Sequence, residues 1–292
     1  MIPQEVLDSL SAYFSGIGPV PFLVHSSASL AGGSINNVYR LNTSSGTYCL
    51  KHNHAGSYPG MFESEARGLE LLASAGEIRV PVPVFHGTLK HHTFLLLEYI
   101  EAAKPLGDMM HRFGRSLARL HRHRSDRFGL DHDNYMGALP QRNRYHDGWV
   151  DFFVSERLEP QMKLAADKGL AGSDMIRRFG SLVSRLDTRF PEESPCLVHG
   201  DLWNGNYIVG EQGTAVLIDP AAFYGHRELD IAMTALFGGF SADFYEGYND
   251  EYPLEKGWRE RLDLYNLYPL LVHLNLFGPA YLGEIHSILG RF

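Results

Sequence analysis

The chain is poor in cysteine and has no long apolar run. Cys49 and Cys196 are the only cysteines in 292 residues. They make no disulfide framework and no CxxC pair, which points to a reducing, cytoplasmic location. Both flank apolar strand-like segments and read as packing residues. No stretch of 18 apolar residues occurs, so no transmembrane helix is expected. The first residues, Met1-Ile-Pro-Gln-Glu5, show neither a basic start nor an apolar h-region. Basic charge is also short: 26 Lys and Arg face 34 Asp and Glu, a net charge of −8. Nonspecific binding to nucleic acid or an anionic membrane calls for a basic surface, so neither partner is expected. The 15 histidines show no zinc-ligand spacing. The pairs His52/His54, His91/His92 and His121/His123 are expected on solvated surfaces or loops. There is no full GxGxxG, internal repeat, low-complexity segment or heptad pattern. What remains is ordinary globular composition, 44% hydrophobic and 21% charged. That suffices for a sizeable core in one large domain or two lobes.

The most informative stretch is Cys196-Leu-Val-His-Gly-Asp-Leu-Trp-Asn-Gly-Asn-Tyr-Ile-Val-Gly210, continued by Ala215-Val-Leu-Ile-Asp-Pro220. Leu197-Val198, Tyr207-Ile-Val209 and Val216-Leu-Ile218 are apolar and β-prone. Between them stand Asp201, Asn206 and Asp219. Asn206 follows Asp201 by five residues, and Asp219 follows Asn206 by thirteen. The protein-kinase catalytic loop has the same order: an Asp, an Asn five residues on, then a metal-binding Asp on the next hairpin. The chemistry explains those residue types. One carboxylate accepts the proton of an attacking hydroxyl. An amide oxygen and a second carboxylate hold Mg²⁺ on nucleotide phosphates, because Mg²⁺ takes hard oxygen ligands.

Earlier in the chain, residues 3–15 read as a short amphipathic helix and Phe22 to Leu30 as a strand. A glycine turn at Gly32-Gly33-Ser34 follows, then strands that include Tyr48-Cys-Leu-Lys51. Gly32 and Gly33 either let backbone amides approach phosphate oxygens or simply form a hairpin turn. Lys51 either reaches α and β phosphates or is a strand-edge surface lysine. An acid on the next helix decides between these. Phe62, Ala66, Leu69 and Leu72 line one face of that helix. Glu65 lies beside the face and is the expected partner of Lys51, with Glu63 as the alternative. Val80-Pro-Val-Pro-Val84 must be extended. Thr93 to Ile100 is a buried strand leading into a linker. The backbone of Glu98, Tyr99 and Ile100 is placed to bond an adenine edge.

Further on, helices are expected over 109–121, from Trp149 to Leu158, over 173–188, from His226 to Leu236, and over 257–289 with a break at Gly278-Pro279. Residues 128–141 read as a long irregular stretch of the kind that is often functional. Ala221 to Gly225 reads as a turn. Asp230 is expected to brace the catalytic loop rather than touch substrate.

His199-Gly-Asp-Leu-Trp-Asn-Gly-Asn206 resembles the catalytic motif of the fructosamine kinase (ketosamine 3-kinase) family, and Asp219-Pro-Ala221 resembles its metal-binding motif. The likeness extends to Gly32-Gly-Ser-Ile35, Phe62…Glu65-Ala66…Gly68-Leu69, Phe128-Gly129…Asp133-Asn134, Pro140-Gln141…Asn143, Trp149…Phe152-Phe153 and Leu274 to Gly278, nearly the full length. His-Gly-Asp alone is shared with aminoglycoside phosphotransferases and choline kinases. Trp203 and the Pro-Gln…Asn segment narrow it. The resemblance implies an α+β, bilobal protein-kinase-like fold. A small antiparallel-sheet lobe with one main helix (1–100) would bind nucleotide, and a larger, mostly helical lobe (101–292) would carry catalysis and substrate. It implies ATP and Mg²⁺, and the C3 hydroxyl of a ketoamine as acceptor, hence deglycation. By position, Asp201 would be the base, Asn206 and Asp219 the metal ligands, Lys51 and Glu65 the phosphate grip, and residues 98–100 the hinge. The Trp203 ring either walls the sugar pocket or packs. Two other readings stay open. One is a kinase of the same fold for an aminoglycoside or choline, with Asp243, Glu246, Asp250 and Glu251 as pocket acids or as a solvated face. The other is a non-catalytic nucleotide-binding protein.

Overall fold

The computed structural model describes residues 2–17, 22–30 and 35–292. Helix α1 (Gln4–Ser15) leads into β1 (Val24–Ser29), β2 (Asn37–Thr43) and β3 (Gly46–His54). Helix α2 (Met61–Ala75) follows, then β4 (Pro83–Leu89) and β5 (His92–Glu98). The five strands form one antiparallel sheet in the order β1-β2-β3-β5-β4.

The centre of β5, Phe94 to Leu97, is an unbroken apolar run because both of its faces are covered. Phe94 and Leu96 pack with Val6 and Leu10 of α1, while Leu95 and Leu97 pack with Phe62, Ala66, Leu69 and Leu72 of α2. Alternate residues of a strand point to opposite faces, so each half of the run finds its own partner. The register then fixes Lys51. It sits opposite Leu95 across the β3–β5 pair and therefore shares the face that α2 covers. Burying each of these large apolar side chains is worth about 1.5–3 kcal/mol.

The second half contains α3 (Met109–Leu120), the hairpin β6 (Asn134–Met136) and β7 (Leu139–Gln141), α4 (Trp149–Phe152) and α5 (Glu159–Asp167). Next come α6 (Ser173–Val183), β8 (Cys196–Val198), β9 (Tyr207–Val209), β10 (Ala215–Leu217) and β11 (Phe223–Gly225). Helices α7 (Glu228–Ala235), α8 (Ala242–Glu251), α9 (Trp258–Phe277) and α10 (Leu282–Arg291) complete the chain. One apolar cluster joins Leu95, Leu97 and α2 to Leu117 of α3, Leu197, Leu217 and Phe244. The sheet and the helical half therefore share a core. Among the described residues, no helix is long and apolar enough to cross a membrane.

Several expected elements differ in form. Residues 221–225 are not merely a turn: Phe223–Gly225 pairs antiparallel with β8, an edge whose three-residue length gives little sequence signal. The 128–141 stretch holds the β6–β7 hairpin. The 173–188 helix stops at Val183, and only Leu186–Thr188 resumes as a 3₁₀ turn. Between α4 and α5, Phe153–Leu158 forms a π-helical turn. His121 is not on the surface but fully buried, and His52 is buried too; their polar partners, described below for His121 and His92 for His52, replace water.

Candidate active site

The β8–β9 loop and the end of β10 meet the β3–α2 face across a cleft. The Nζ of Lys51 donates to Glu65 Oε1 at 2.5 Å and also to Asp219 Oδ1. Lys51 and Glu65 are nearly buried, whereas the Asp219 side chain is 48% exposed to the cleft. Burial alone would push the Lys51 amine down, but Asp219 and Glu65 outweigh it and raise it above the ordinary lysine value. Burial pushes the Glu65 carboxyl up despite Lys51 beside it. Glu65 is thus the acid that meets Lys51, and Glu63 is exposed.

Asp201 and Asn206 close the other side. The Asn206 Nδ2 donates to Asp201 Oδ2 at 2.9 Å and to the Asp201 carbonyl at 2.8 Å. The amide is thereby oriented, leaving Oδ1 as the atom that could accept a cation. Burial pushes the Asp201 carboxyl up to about 7; the Asn206 bond opposes this, while Asp219 and Asp230 add to it. Asp219 has φ 55, in the left-handed region that Asp tolerates better than most residues. Neighbouring bonds hold it there. Ile218 N–H donates to Asn206 O at 3.0 Å, and Ala221 N–H donates to His199 O at 3.0 Å.

The loop is also held from behind. The buried Asp230 accepts from the backbone N–H of His199 at 2.7 Å and of Gly200 at 2.9 Å. His121 Nε2 lies 3.2 Å from the same carboxylate, and its Nδ1 lies 2.7 Å from Tyr248 Oη. Burial pushes Asp230 up, but these donors outweigh it and hold the carboxyl below its usual range. Asp230 therefore braces the loop, as its place near the first turn of α7 suggested. His199 is kept neutral by burial. Its Nε2 lies 3.0 Å from the Ile218 carbonyl, which only accepts, so Nε2 carries the proton and Nδ1 accepts the Asp201 N–H at 3.3 Å. Gly200 has φ 83, and a Cβ there would lie 2.2 Å from the Ala221 carbonyl oxygen. Only glycine fits.

Two adjoining cavities open here, sharing Lys51, Trp203, Asn206 and Asp219. One, of about 380 Å³, is an apolar slot bounded by Cys49, Leu97, Ile208 and the 98–100 segment. The Glu98 side chain is engaged with Arg79 at 2.5 Å, so that segment faces the slot with backbone and with Tyr99 and Ile100. Cys49 thus lines a cavity rather than merely packing, and burial pushes its thiol up to about 11. The other cavity, of about 190 Å³, contains Asp201 and is closed by Asn134 to Gly137, Met61, His273 and Phe277. Trp203 stands between the two. Gly32, Gly33 and Ser34 lie outside the described residues. Asp243, Glu246, Asp250 and Glu251 line neither cavity. They are on α8, where Asp250 meets His111 and Glu251 meets Arg115 and Arg122 of the α3 region. A pocket-acid role for them has no geometric basis.

Two sets of cleft residues were given no site role from sequence. One is Asn134 to Gly137, of which Asn134 alone belongs to the family likeness, inside the stretch read as a functional loop. Its anchor is a buried polar network. Gln141 and Asn143 donate to Asn134 Oδ1 at 2.8 and 3.0 Å. Asn134 and Gln141 donate to the Ala222 and Ala221 carbonyls at 2.9 and 3.1 Å. The buried Arg157 holds Asn143 Oδ1 at 2.7 Å, and burial pushes its guanidinium down to about 10. The network thus ties the hairpin to the backbone just after Asp219. The Pro-Gln…Asn spacing was the available signal. The other set is His273 and Phe277, which the Leu-rich pattern of α9 hid.

Among the described residues, no three or more His, Cys, Asp or Glu are grouped to hold a metal by themselves. Asn206 Oδ1 and the half-exposed Asp219 carboxylate are hard oxygens on one side of the cleft. Two carboxylates, Glu65 and Asp219, meet the single buried amine, and a third, Asp201, lines the same cavity. That donor set fits a Mg²⁺ that completes its shell with phosphate and water.

Known proteins fit the same picture. The family described as Fructosamine kinase matches residues 9–292. A Synechocystis protein named as a probable ketoamine kinase is 42% identical over 270 residues, 92% of this chain and 90% of that one. The chloroplastic protein-ribulosamine 3-kinase of Arabidopsis thaliana is 36% identical over 269 residues, 90% of this chain and 81% of that one. A crystal structure from Haemophilus somnus 129PT, provisionally named fructosamine-3-kinase, matches with TM-score 0.87 at 30% identity, covering 97% of this chain and 96% of that chain. The bilobal kinase-like fold extends further, to an aminoglycoside phosphotransferase with TM-score 0.64 at 14% identity, covering 97% of this chain and 98% of that one. With a match over almost its whole length, the chain belongs to the fructosamine kinase family.

Proposed function

We propose that this protein is an ATP-dependent ketoamine 3-kinase that acts in deglycation in the cytoplasm. The observation that carries the reading is one constellation. Lys51 is gripped between Glu65 and Asp219, opposite an Asp201–Asn206 pair on the far side of the cleft. Membership of the fructosamine kinase family selects the acceptor.

In this reading, residues 1–100 form the nucleotide lobe and 101–292 the catalytic and substrate lobe. The apolar slot takes the adenine, and the backbone of residues 98–100 bonds its edge. Gly32, Gly33 and Ser34 contribute to phosphate binding. Lys51, oriented by Glu65, grips α and β phosphates. Asn206 and Asp219 would hold Mg²⁺, which would supply positive charge against that developing on the phosphates. Asp201 accepts the proton of the C3 hydroxyl. The O3–Pγ bond forms as the bond from Pγ to the β,γ-bridging oxygen breaks, and ADP leaves with that oxygen. The raised Asp201 carboxyl suits a base that works near neutral pH. Trp203 walls the sugar side.

The test is ATP consumption with Mg²⁺ against ribulose-lysine, fructose-lysine, kanamycin and choline. Turnover on a ketoamine, reduced about a hundred- to ten-thousand-fold in Asp201→Asn with ATP binding retained, is the expected result. Turnover on kanamycin or choline alone would sink the acceptor, and full activity of Asp201→Asn would sink the base.

A further inference from the structure

The cavity around Asp201 has one wall that phosphoryl transfer does not use. It is aromatic. Trp203, His273 and Phe277 line it, and the rings of Phe237 and Tyr281 pack against them from outside the cavity. Trp203 belongs to the β8–β9 loop and Phe237 follows α7. His273 and Phe277 lie near the end of α9, and Tyr281 lies in the 3₁₀ turn beyond it. Their rings are in mutual contact. Phe237 and His273 centroids are 4.5 Å apart, His273 and Tyr281 5.2 Å, and Trp203 meets Phe237 edge-on at 6.2 Å.

Two observations set this wall apart from leftover core. Phe237 has φ 51. A bulky residue in the left-handed region is a real outlier that the surroundings must enforce. That backbone turn holds the ring against His273. The second observation is the histidine itself. His273 Nδ1 lies 2.8 Å from the Pro269 carbonyl. A carbonyl only accepts, so Nδ1 carries the proton. Burial lowers the His273 pKa and keeps the ring neutral. Nε2 is then a lone-pair acceptor on a residue that lines the cavity. The wall ends at solvent, where Phe277 is 54% exposed.

Aromatic faces with one hydrogen-bond acceptor among them suit an organic ammonium. The rings attract the cation, and the acceptor takes one N–H. Resting on the ketoamine-kinase reading, we propose that Trp203 and His273, held in place by Phe237 and Tyr281 packed against them, bind the protonated amine of the substrate and lead its substituent out past Phe277. The geometry of a ketoamine fits. Its nitrogen is on C1 and its reacting hydroxyl on C3, so a hydroxyl at Asp201 brings the ammonium to an adjacent wall. An exit open to solvent accommodates an amine that is a lysine side chain of a polypeptide.

The experiment compares two substrates that differ only at this atom: a ketoamine, and the 1-O-alkyl ketose in which a neutral ether oxygen replaces the amine. The wild type should show a KM for the ketoamine about tenfold below that for the ether. Phe237→Leu and His273→Leu should each raise the ketoamine KM about fivefold or more. The KM for the ether and for ATP should stay as in the wild type, and Phe237→Tyr should restore the preference. Equal KM values for the two substrates in the wild type would overturn the proposal, as would variants that raise both KM values together. Wild-type turnover of neither substrate would overturn the kinase reading itself, and the subsite with it.

Discussion

Replacing Asp201 with asparagine should make the protein harder to unfold while nearly abolishing turnover. The folded carboxyl is pushed up to about 7, chiefly by burial, from the ordinary aspartate value of 3.8. At pH 8 folding must therefore ionise a group about three pH units above its relaxed value. At about 1.36 kcal/mol per unit this costs up to about 4 kcal/mol. The sign follows from proton binding. Below about pH 4 both states are protonated and the cost vanishes. Between about pH 4 and 7 the unfolded chain has lost the proton and the folded chain keeps it, so stability falls as pH rises. Above about pH 7 the cost levels off. Asparagine keeps the shape and an acceptor for the Asn206 amide but carries no charge. The variant should thus gain about 4 kcal/mol at pH 8 and less than half of that at pH 5. Urea unfolding of both proteins from pH 5 to 8, without nucleotide or divalent ion, measures the gap. Titrations common to both proteins cancel. A gap that does not change with pH, or a wild type that is the more stable at pH 8, would refute the reasoning.

The same carboxyl should give kcat/KM an ascending limb near pH 7, and Asn206→Ala should move that limb upward because the bond favouring the carboxylate is lost; initial rates across pH 5.5–9 report both. Asp230→Ala removes the acceptor for two backbone amides and for buried His121, and should cost about 3–5 kcal/mol in denaturant unfolding. Gly205→Ala would place a Cβ 2.4 Å from the Trp203 ring, so the ring must turn. The expected result is a folded protein with altered tryptophan fluorescence and a higher ketoamine KM, and an unchanged KM would remove Trp203 from the substrate wall.

Much of the cleft was legible because its chemistry is spaced along short pieces of chain. Asp201 and Asn206 share one loop, and Asp219 closes the next hairpin, so order and interval sufficed to bring them together. Lys51 and Glu65 were legible through period. Leu50 and Leu95 to Leu97 set the sheet faces, the α2 stripe sets the helix face, and both put the two side chains in one gap. What stayed hidden depends on contacts far apart in sequence. His121 looked like one of a pair of surface histidines. It is buried because α7 brings Asp230, and α8 brings Tyr248, to its two nitrogens. The α8 acids looked like pocket candidates because nothing local reveals that Arg115 and Arg122 already hold Glu251. The short β11 has a polar tyrosine at its centre and a glycine at its end, and only β8 opposite makes it a strand. Phe237 gave no sign of its left-handed backbone beyond the glycines that follow it.

The π-helical turn at Phe153–Leu158 makes the α4–α5 segment sensitive to counting. Such a turn holds one residue more than an α-helix would, and each residue of an α-helix advances about 100° around the axis. The surplus residue lets Phe152 and Phe153 on one side of the turn, and Arg157, Leu158 and Met162 on the other, all face inward. A length change in a surface loop would leave such phasing alone. Losing one residue here would heal the helix into regularity and swing Arg157 away from Asn143. The carbonyls behind Asp219 would then lose their anchor without any alteration of the cleft's own sequence. Over evolutionary time, this segment should admit substitutions far more readily than insertions or deletions.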